Sequence, residues 1–308
     1  GVLDPATPVG ARVLAWPGQP DATADALPLR LAGGLHALVL TGQDPALAAA
    51  YAAGDDPLPA AARALTAHEA HLLHWLESPP QTNEVRRSAA LIAAGHWLAA
   101  RHPLPFVLSE LGASAGLNLW WDRYALAVGE KVFGPPDPVL TLAPAWHGDP
   151  PPMARPTVAA RAGVDLNPLD PARDRLRLLA YLWPDQPDRI ARTKAAADEA
   201  ARHPRSVARC DAAEWLADRL EEPRPGYLHL VFDTVAWQYF PPATQAACTA
   251  SLAAAGACAT PDAPLAHLAM EGDSTRGSAA LTLTLWPGGE TRSLGRADFH
   301  GRDIHWQP

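Results

Sequence analysis

The chain has 308 residues, 48% of them apolar, enough to bury a full core in one large domain or two smaller ones. Asp and Glu number 33 against 25 Lys and Arg, a formal net charge of −8, so there is no basic footprint for nucleic acid or an anionic membrane surface. Cys210, Cys248 and Cys258 are odd in number and lack C-x-x-C pairing, which argues against a disulfide framework or a zinc site and suits a reducing cytoplasm.

No apolar run approaches the ~18 residues of a membrane span, and the start lacks a basic segment followed by an apolar one. Because the sequence begins at Gly1, a trimmed leader stays open. The 33 prolines fall mainly in connections such as Pro135-Pro136, Pro150 to Pro152 and Pro241-Pro242, and read as stiff loops.

In chain order, Ala and Leu recur at helix spacing from about Leu27 to Tyr51 and again from Ala61 to Trp75. Ser78-Pro79-Pro80-Gln81 has the form of a capping box with proline in the first turn, and predicts a third helix running to about Arg101, stopped by His102-Pro103. From there short apolar runs alternate with helical stretches, the mark of a parallel sheet with crossovers. Strands are expected at 105–111, 157–164, 205–210, 227–233 and 263–270, and helices at 115–127, 173–201, 212–220 and 242–255. The run Leu281 to Trp286 and the turn Pro287-Gly288-Gly289 predict a C-terminal antiparallel hairpin. The expected fold class is therefore α/β: a helical N-terminal cap (1–102) and a Rossmann-like, mainly parallel domain (103–308), with the seam near His102.

The most informative segment is Phe106 to Tyr124, an apolar strand ending in a small-residue turn that enters a helix. Glu110, Gly112, Ser114 and Gly116 crowd a sharp bend where free helix N–H groups can meet an anion. One reading is a nucleotide or S-adenosylmethionine cradle, in which the turn also carries Asn118, the N–H groups near Ala115 meet a carboxylate, and Glu110 accepts from an ammonium. Asp165 then takes the ribose hydroxyls and Asp211 an adenine amino group. A dinucleotide fingerprint needs glycine where Ser114 and Leu117 stand, which disfavours NAD.

A second reading is a serine hydrolase. Gly112-Ala113-Ser114-Ala115-Gly116 satisfies G-x-S-x-G, with Asp233 or Asp273 as orienter and His300 or His305 as base. Against it stand the helical character of the preceding hundred residues and a carboxylate, Glu110, beside the oxyanion to be stabilised. A third is a ligand-binding protein without turnover, and a fourth a strand-helix junction that uses small residues only for close packing.

Q-T-N-E-V-R-R-S-A at 81–89, E-L-G-A-S-A-G-L-N-L-W-W-D-R-Y at 110–124, R-A-G-V-D-L-N-P-L-D at 161–170, L-W-P-D-Q at 182–186 and V-A-W-Q-Y at 235–239 together resemble the bacterial family of unknown function DUF2332, over most of the chain. Its core is similar to that of class I S-adenosylmethionine-dependent methyltransferases. That likeness implies S-adenosylmethionine as cofactor, with roles for Glu110, Gly112, Gly116, Asp165 and Asp211. Two places depart from the methyltransferase pattern. A long insertion around Val139 to Pro156 separates the first two strands, and only a short link joins the fifth strand to the hairpin.

Elsewhere, Asn83, Glu84 and Arg87 are candidates for holding a polar or carboxylate substrate, although Gln81 and Glu84 also suit a helix start. Asp233, Gln238 and Tyr239 follow the fourth strand, where open α/β sheets present reacting groups; they are the candidate catalytic residues, with Trp237 stacking on the acceptor. An aspartate capping a turn and aromatics covering the sheet edge account for the same residues without chemistry. His68, His71 and His74 are spaced three apart and read as a solvated helix stripe, so no metal is expected. Trp183-Pro184-Asp185-Gln186 reads as a turn. The partner expected is a small molecule, and the oligomeric state is open.

Overall fold

The computed structural model describes every residue except 1, 2, 22, 23 and 55. The helices are α1 Pro8–Leu14, α2 Leu27–Leu40, α3 Pro45–Ala53, α4 Leu58–Ala67, α5 Glu69–Leu76, α6 Ser88–Ala99, α7 Arg175–Ala180, α8 Pro187–Ala201, α9 Ala212–Arg219 and α10 Pro242–Ala257. The strands are β1 Phe106–Leu111, β2 Ala125–Val128, β3 Lys131–Phe133, β4 Thr141–Leu142, β5 Ala145–His147, β6 Val158–Asp165, β7 Val207–Arg209, β8 Leu228–Thr234, β9 Leu265–Gly272, β10 Ala279–Trp286, β11 Glu290–Ala297 and β12 Asp303–Trp306. They form two compact units, Gly1–Thr82 with Ala172–Lys194, and Asn83–Pro171 with Ala195–Pro308.

The first unit is helical around a core of Leu35, Leu38, Leu47, Ala64, Leu65 and Leu72. The run expected from Leu27 to Tyr51 is broken at Gly42, whose φ of 68° ends α2, and restarts where Asp44 accepts from Leu47 N–H with Pro45 in the first turn. The next run breaks at His68, which leaves helical geometry between α4 and α5. The histidines are therefore not one solvated stripe. His68 Nε2 lies 3.2 Å from Asp44 Oδ2, His71 Nε2 is 3.0 Å from the Gly34 carbonyl, and only His74 is well exposed, beside Glu77. The capping box at Ser78 is not formed either. Pro80 disfavours helical geometry at Pro79, so residues 79–84 stay extended and the chain enters a 3₁₀ turn, Val85–Arg87, before α6. Trp183–Gln186 is the expected turn, closed by a 3.1 Å hydrogen bond from Gln186 N–H to the Trp183 carbonyl, and it splits the predicted 173–201 helix into α7 and α8.

The second unit carries a nine-stranded sheet in the order β5-β12-β11-β10-β9-β8-β1-β6-β7. Its parallel half, β7-β6-β1-β8-β9, runs third, second, first, fourth, fifth in chain order among the core strands, the doubly wound arrangement of a Rossmann-like fold. The order reverses between β1 and β8, and at such a reversal the carboxyl ends of the strands are where a doubly wound sheet has its crevice. All six residues of β1 and all seven of β8 are buried, as central parallel strands require. Helices α9 and α10 cover one face through Ala212, Leu216, Cys248 and Leu252, which pack on Leu111, Val164 and Val231. Beyond β9 the sheet turns antiparallel, and the expected hairpin is β10 and β11.

Two parts of this unit differ from expectation. The helix predicted at 115–127 is a 3₁₀ element, Leu117–Arg123, kinked at Trp120. Leu117 to Trp121 are all buried, so the segment has no solvent face to give it an α-helical stripe, and Tyr124 Oη donates to the Leu117 carbonyl at 2.8 Å to close it. The insertion after it forms the small sheet β3-β2-β4 and the edge strand β5, which joins the last strand, β12. These strands of two to four residues are too short for alternation to show.

Helix α6 packs against the 3₁₀ element through Gly95, where a Cβ would sit 2.4 Å from Trp121 Cη2. Gly95→Val therefore has to displace a fully buried indole, and we expect a loss of about 1–3 kcal/mol, read as a lower melting temperature and urea midpoint. Gly95→Val melting like wild type would contradict this packing.

Candidate functional site

Strand β1 delivers Glu110 to the crevice, and the chain then turns through three residues with positive φ: Gly112 (67°), Ser114 (52°) and Gly116 (70°). At Gly112 the need is steric as well as conformational, because a Cβ would lie 2.5 Å from Ala236 Cβ in the turn after β8. Ser114 is the one non-glycine of the three, buried, with no hydrogen-bond partner for its hydroxyl. Four N–H groups of this turn are already used. Ala113 donates to the Val164 carbonyl, Ser114 to Asp165 Oδ2 at 2.9 Å, Gly116 to the Ala113 carbonyl, and Leu117 to Asn83 Oδ1 at 2.9 Å. The element that follows is 3₁₀ rather than an α-helix, and the Ser114 and Leu117 donors are taken by side chains of the protein.

Acid and amide groups dominate instead. Glu110 is 2% exposed, and among the described residues its Oε2 has no hydrogen-bond partner. Burial pushes its carboxyl well above the ordinary range; the charges of Asp165 and Asp233 push the same way, opposed by the Arg87 guanidinium and a hydrogen bond from Asn118. Asn118 is fixed by Ser88, whose hydroxyl donates to Asn118 Oδ1 at 2.7 Å, which turns the amide nitrogen toward Glu110. Arg87 reaches the same place, donating to the carbonyls of Thr234 and Phe299, each at 2.9 Å. Asp165, at the tip of β6, accepts from Ser114 N–H and from Asn167 N–H at 2.8 Å. Glu84 accepts from Arg86 N–H and so starts the 3₁₀ turn that presents Arg87.

Strand β8 contributes Asp233, which is fully buried and accepts from His267 Nε2 at 2.7 Å. Its other oxygen faces Glu271, two residues beyond the Asp233 partner Ala269 on β9. Two buried carboxyl groups in contact hold together only with a proton between them. The Glu271 carboxyl is pushed up to about 8, first by burial and then by the Asp233 charge. Glu271 Oε1 accepts from Ala236 and Trp237 N–H, at 2.7 and 3.0 Å. These bonds hold open a strained turn, with the β-branched Val235 at φ 54°. The sequence reading missed His267 and Glu271. The signal was there in the alternation His267, Ala269, Glu271, which puts all three on the Asp233 face of the sheet.

Asn83, Arg87, Glu110, Asn118 and Asp165 therefore lie about the turn of Gly112, Ser114 and Gly116, whereas Asp233 pairs with Leu111 and so projects from the other face of the sheet than Glu110. Others stand apart. Asp211 accepts from Ala213 N–H as the cap of α9 and from Thr244 Oγ1 at 3.2 Å. Gln238 and Tyr239 project outward, Tyr239 being 72% exposed, while Trp237 lies half-buried near His267 and Phe240. His305 sits on β12, five strands from β1 and so ~24 Å away at ~4.8 Å per strand. His300 is half-exposed with Asp298 Oδ2 at 3.8 Å, so neither histidine is hydrogen-bonded to Ser114.

A protein-family model described as "Uncharacterized protein conserved in bacteria (DUF2332)" matches residues 2–306, and the chain belongs to that family. No curated protein and no solved structure matches it. Among the described residues, no helix is long and apolar enough to cross a membrane.

The Asp233–Glu271 contact makes stability depend on pH. Glu271 binds its proton more tightly folded than unfolded, so its contribution is complete below pH 4.5, shrinks as pH rises, and is gone once pH passes about 8. Glu271→Gln keeps a neutral side chain at every pH. We expect it to come close to wild type near pH 4.5 and to be clearly more stable than wild type at pH 8, in chemical denaturation at both pH values. Equal stabilities at pH 8 would show that the two carboxyls do not share a proton.

Proposed function

We propose, for this member of the DUF2332 family, that the crevice between β1 and β8 binds S-adenosylmethionine and that the protein is methyltransferase-like, acting on a small polar acceptor. The observation that carries the reading is Glu110: a carboxyl group buried at the switch point of a doubly wound sheet, with one oxygen that no protein group satisfies. A carboxyl in that position calls for a ligand that brings N–H donors and positive charge, and Asp165 and Asp233 deepen the same preference. An amino-acid ammonium and a sulfonium supply both. A pyrophosphate would meet three acids and a turn whose leading N–H groups are already bonded, so a dinucleotide fits poorly.

In this reading Glu110 holds the ammonium, Asn118 orients Glu110, Asp165 stands at the ribose end, and Arg87 and Asn83 fix the walls. The ligand supplies an electrophilic methyl group. The protein contributes orientation and exclusion of water; Asp233, braced by His267, lies on the other face of the sheet from Glu110 and fits a supporting role better than proton transfer. Asp211 is less suited to an adenine contact than its sequence position implies, because α9 and Thr244 already engage it. The outward Gln238 and Tyr239 fit a rim better than a reaction centre.

Calorimetric titration with S-adenosylmethionine, its demethylated product and NAD tests the reading. We expect both adenosyl ligands to bind and NAD not to, and Glu110→Gln to weaken S-adenosylmethionine by about tenfold or more, the worth of a hydrogen bond to a charged group. Because Glu110 has to ionise to hold a cation, binding should release a proton, visible as a heat that varies with buffer ionisation enthalpy. The affinity should rise with pH until Glu110 is ionised in the free protein as well. If no adenosyl ligand binds while a fluorophosphonate labels Ser114 and spares Ser114→Ala, the serine hydrolase reading replaces this one.

A further inference from the structure

The insertion that separates β1 from β6 does not serve the crevice. It places β5 at the far edge of the sheet, parallel to β12 in the register Asp303↔Ala145, Ile304↔Trp146, His305↔His147. Paired residues on neighbouring strands share a face, and so do residues two apart on one strand. His147, His305 and Asp303 therefore project together. Trp146 and Trp306 take the opposite side, with ring centroids 5.8 Å apart.

The three side chains are arranged as metal ligands. His147 Nε2 lies 3.2 Å from Asp303 Oδ2 and His305 Nε2 lies 3.0 Å from Asp303 Oδ1, and all three ligand atoms fall within 4.8 Å of one another. Ligands ~2.1 Å from a tetrahedral zinc ion are ~3.4 Å apart, close to the distance of each imidazole from its nearer Asp303 oxygen. The imidazole rings stack with centroids at 4.2 Å and an 11° tilt, and both Nε2 atoms face Asp303, so an ion is shared once one of these half-exposed rings turns its lone pair toward the other. Nearby guanidinium groups are engaged elsewhere: Arg296, opposite His305 on β11, forks onto Asp273 with two 2.8 Å bonds, and Arg302 pairs with Asp298. All three ligand side chains are about half-exposed, so an ion can enter and water can complete its coordination.

We propose that His147, Asp303 and His305 bind one divalent transition ion of the zinc class, which staples β5 to β12. Two imidazoles and one carboxylate suit zinc, cobalt or nickel rather than magnesium or calcium, which prefer all-oxygen shells. The edge is a place where such a staple matters. β5 has only three residues and pairs in the sheet with β12 alone, so little backbone bonding holds the insertion in register. The site is independent of the reading of the crevice.

The test is a titration of chelator-treated protein with zinc chloride alone, followed by equilibrium dialysis and thermal melts. We expect one zinc per chain, a melting temperature that rises by several degrees with excess zinc, and at least tenfold weaker binding in His147→Ala, His305→Ala and Asp303→Asn. Without metal the variants should melt like wild type. A measurement on wild type alone guards against misfolded variants: zinc should protect His147 and His305 from diethyl pyrocarbonate and leave the exposed His74 reactive. Equal zinc binding by wild type and the His147→Ala/His305→Ala double variant overturns the proposal, as do failure to bind zinc and undiminished modification of His147 and His305.

Discussion

A carboxyl group almost without water, at the tip of the sheet's central strand, is the constraint around which the second unit is arranged. Glu110 cannot stay ionised there unaided, and a free buried acid is costly in either protonation state. Its surroundings answer that cost from several directions. Asn118 is turned toward it by Ser88 on α6, and the 3₁₀ element bearing Asn118 is held at its first residue by Asn83. Arg87 is fixed by the carbonyls of Thr234 and Phe299, so its charge stands near Glu110 without being able to follow a departing partner. Residues from before β1, after β1, after β8 and after β11 thus meet at one carboxyl, which makes the crevice a convergence of the whole unit.

The same economy explains why the turn is not a phosphate loop although its spelling resembles one. Small residues permit positive φ and close approach, and they provide both at Gly112 and Gly116. What they do not settle is where the N–H groups point. Asp165 and Asn83 lie far from the turn in sequence, and their side chains occupy the Ser114 and Leu117 donors that an anion would need. The sign of the ligand charge is therefore set by side chains outside the motif. In the proposed reading they favour a cation, the opposite of what a glycine-rich turn implies by itself.

This separates what could be read from the sequence from what could not. The core strands were legible because central parallel strands are rich in apolar residues, and β1, β6, β8 and β9 sit close to their expected positions; so was the hairpin, whose first strand alternates leucine and threonine up to the Pro287-Gly288-Gly289 turn. The residues of the site nearest the turn were legible too, since they crowd one segment. The helix expected after the turn was not, because Leu117 to Trp121 are apolar on every side and period cannot distinguish a buried α-helix from a buried 3₁₀ element. His267 and Glu271 escaped for a different reason. Their importance comes from a lateral partner, Asp233, one strand over, and lateral pairing is a property of strand order, which no single strand reveals.

Strand order also decides how the acid pair and the turn after β8 support each other. Val235 is held in a conformation that a β-branched residue adopts at a cost of about 1–3 kcal/mol. The compensation is local: Glu271 takes the N–H groups of Ala236 and Trp237, and Ala236 fills the space that Gly112 leaves by lacking a side chain. The strain therefore depends on Glu271 being where it is, and Glu271 stays neutral because Asp233 is beside it. The turns after β1 and β8 are consequently one mechanical object.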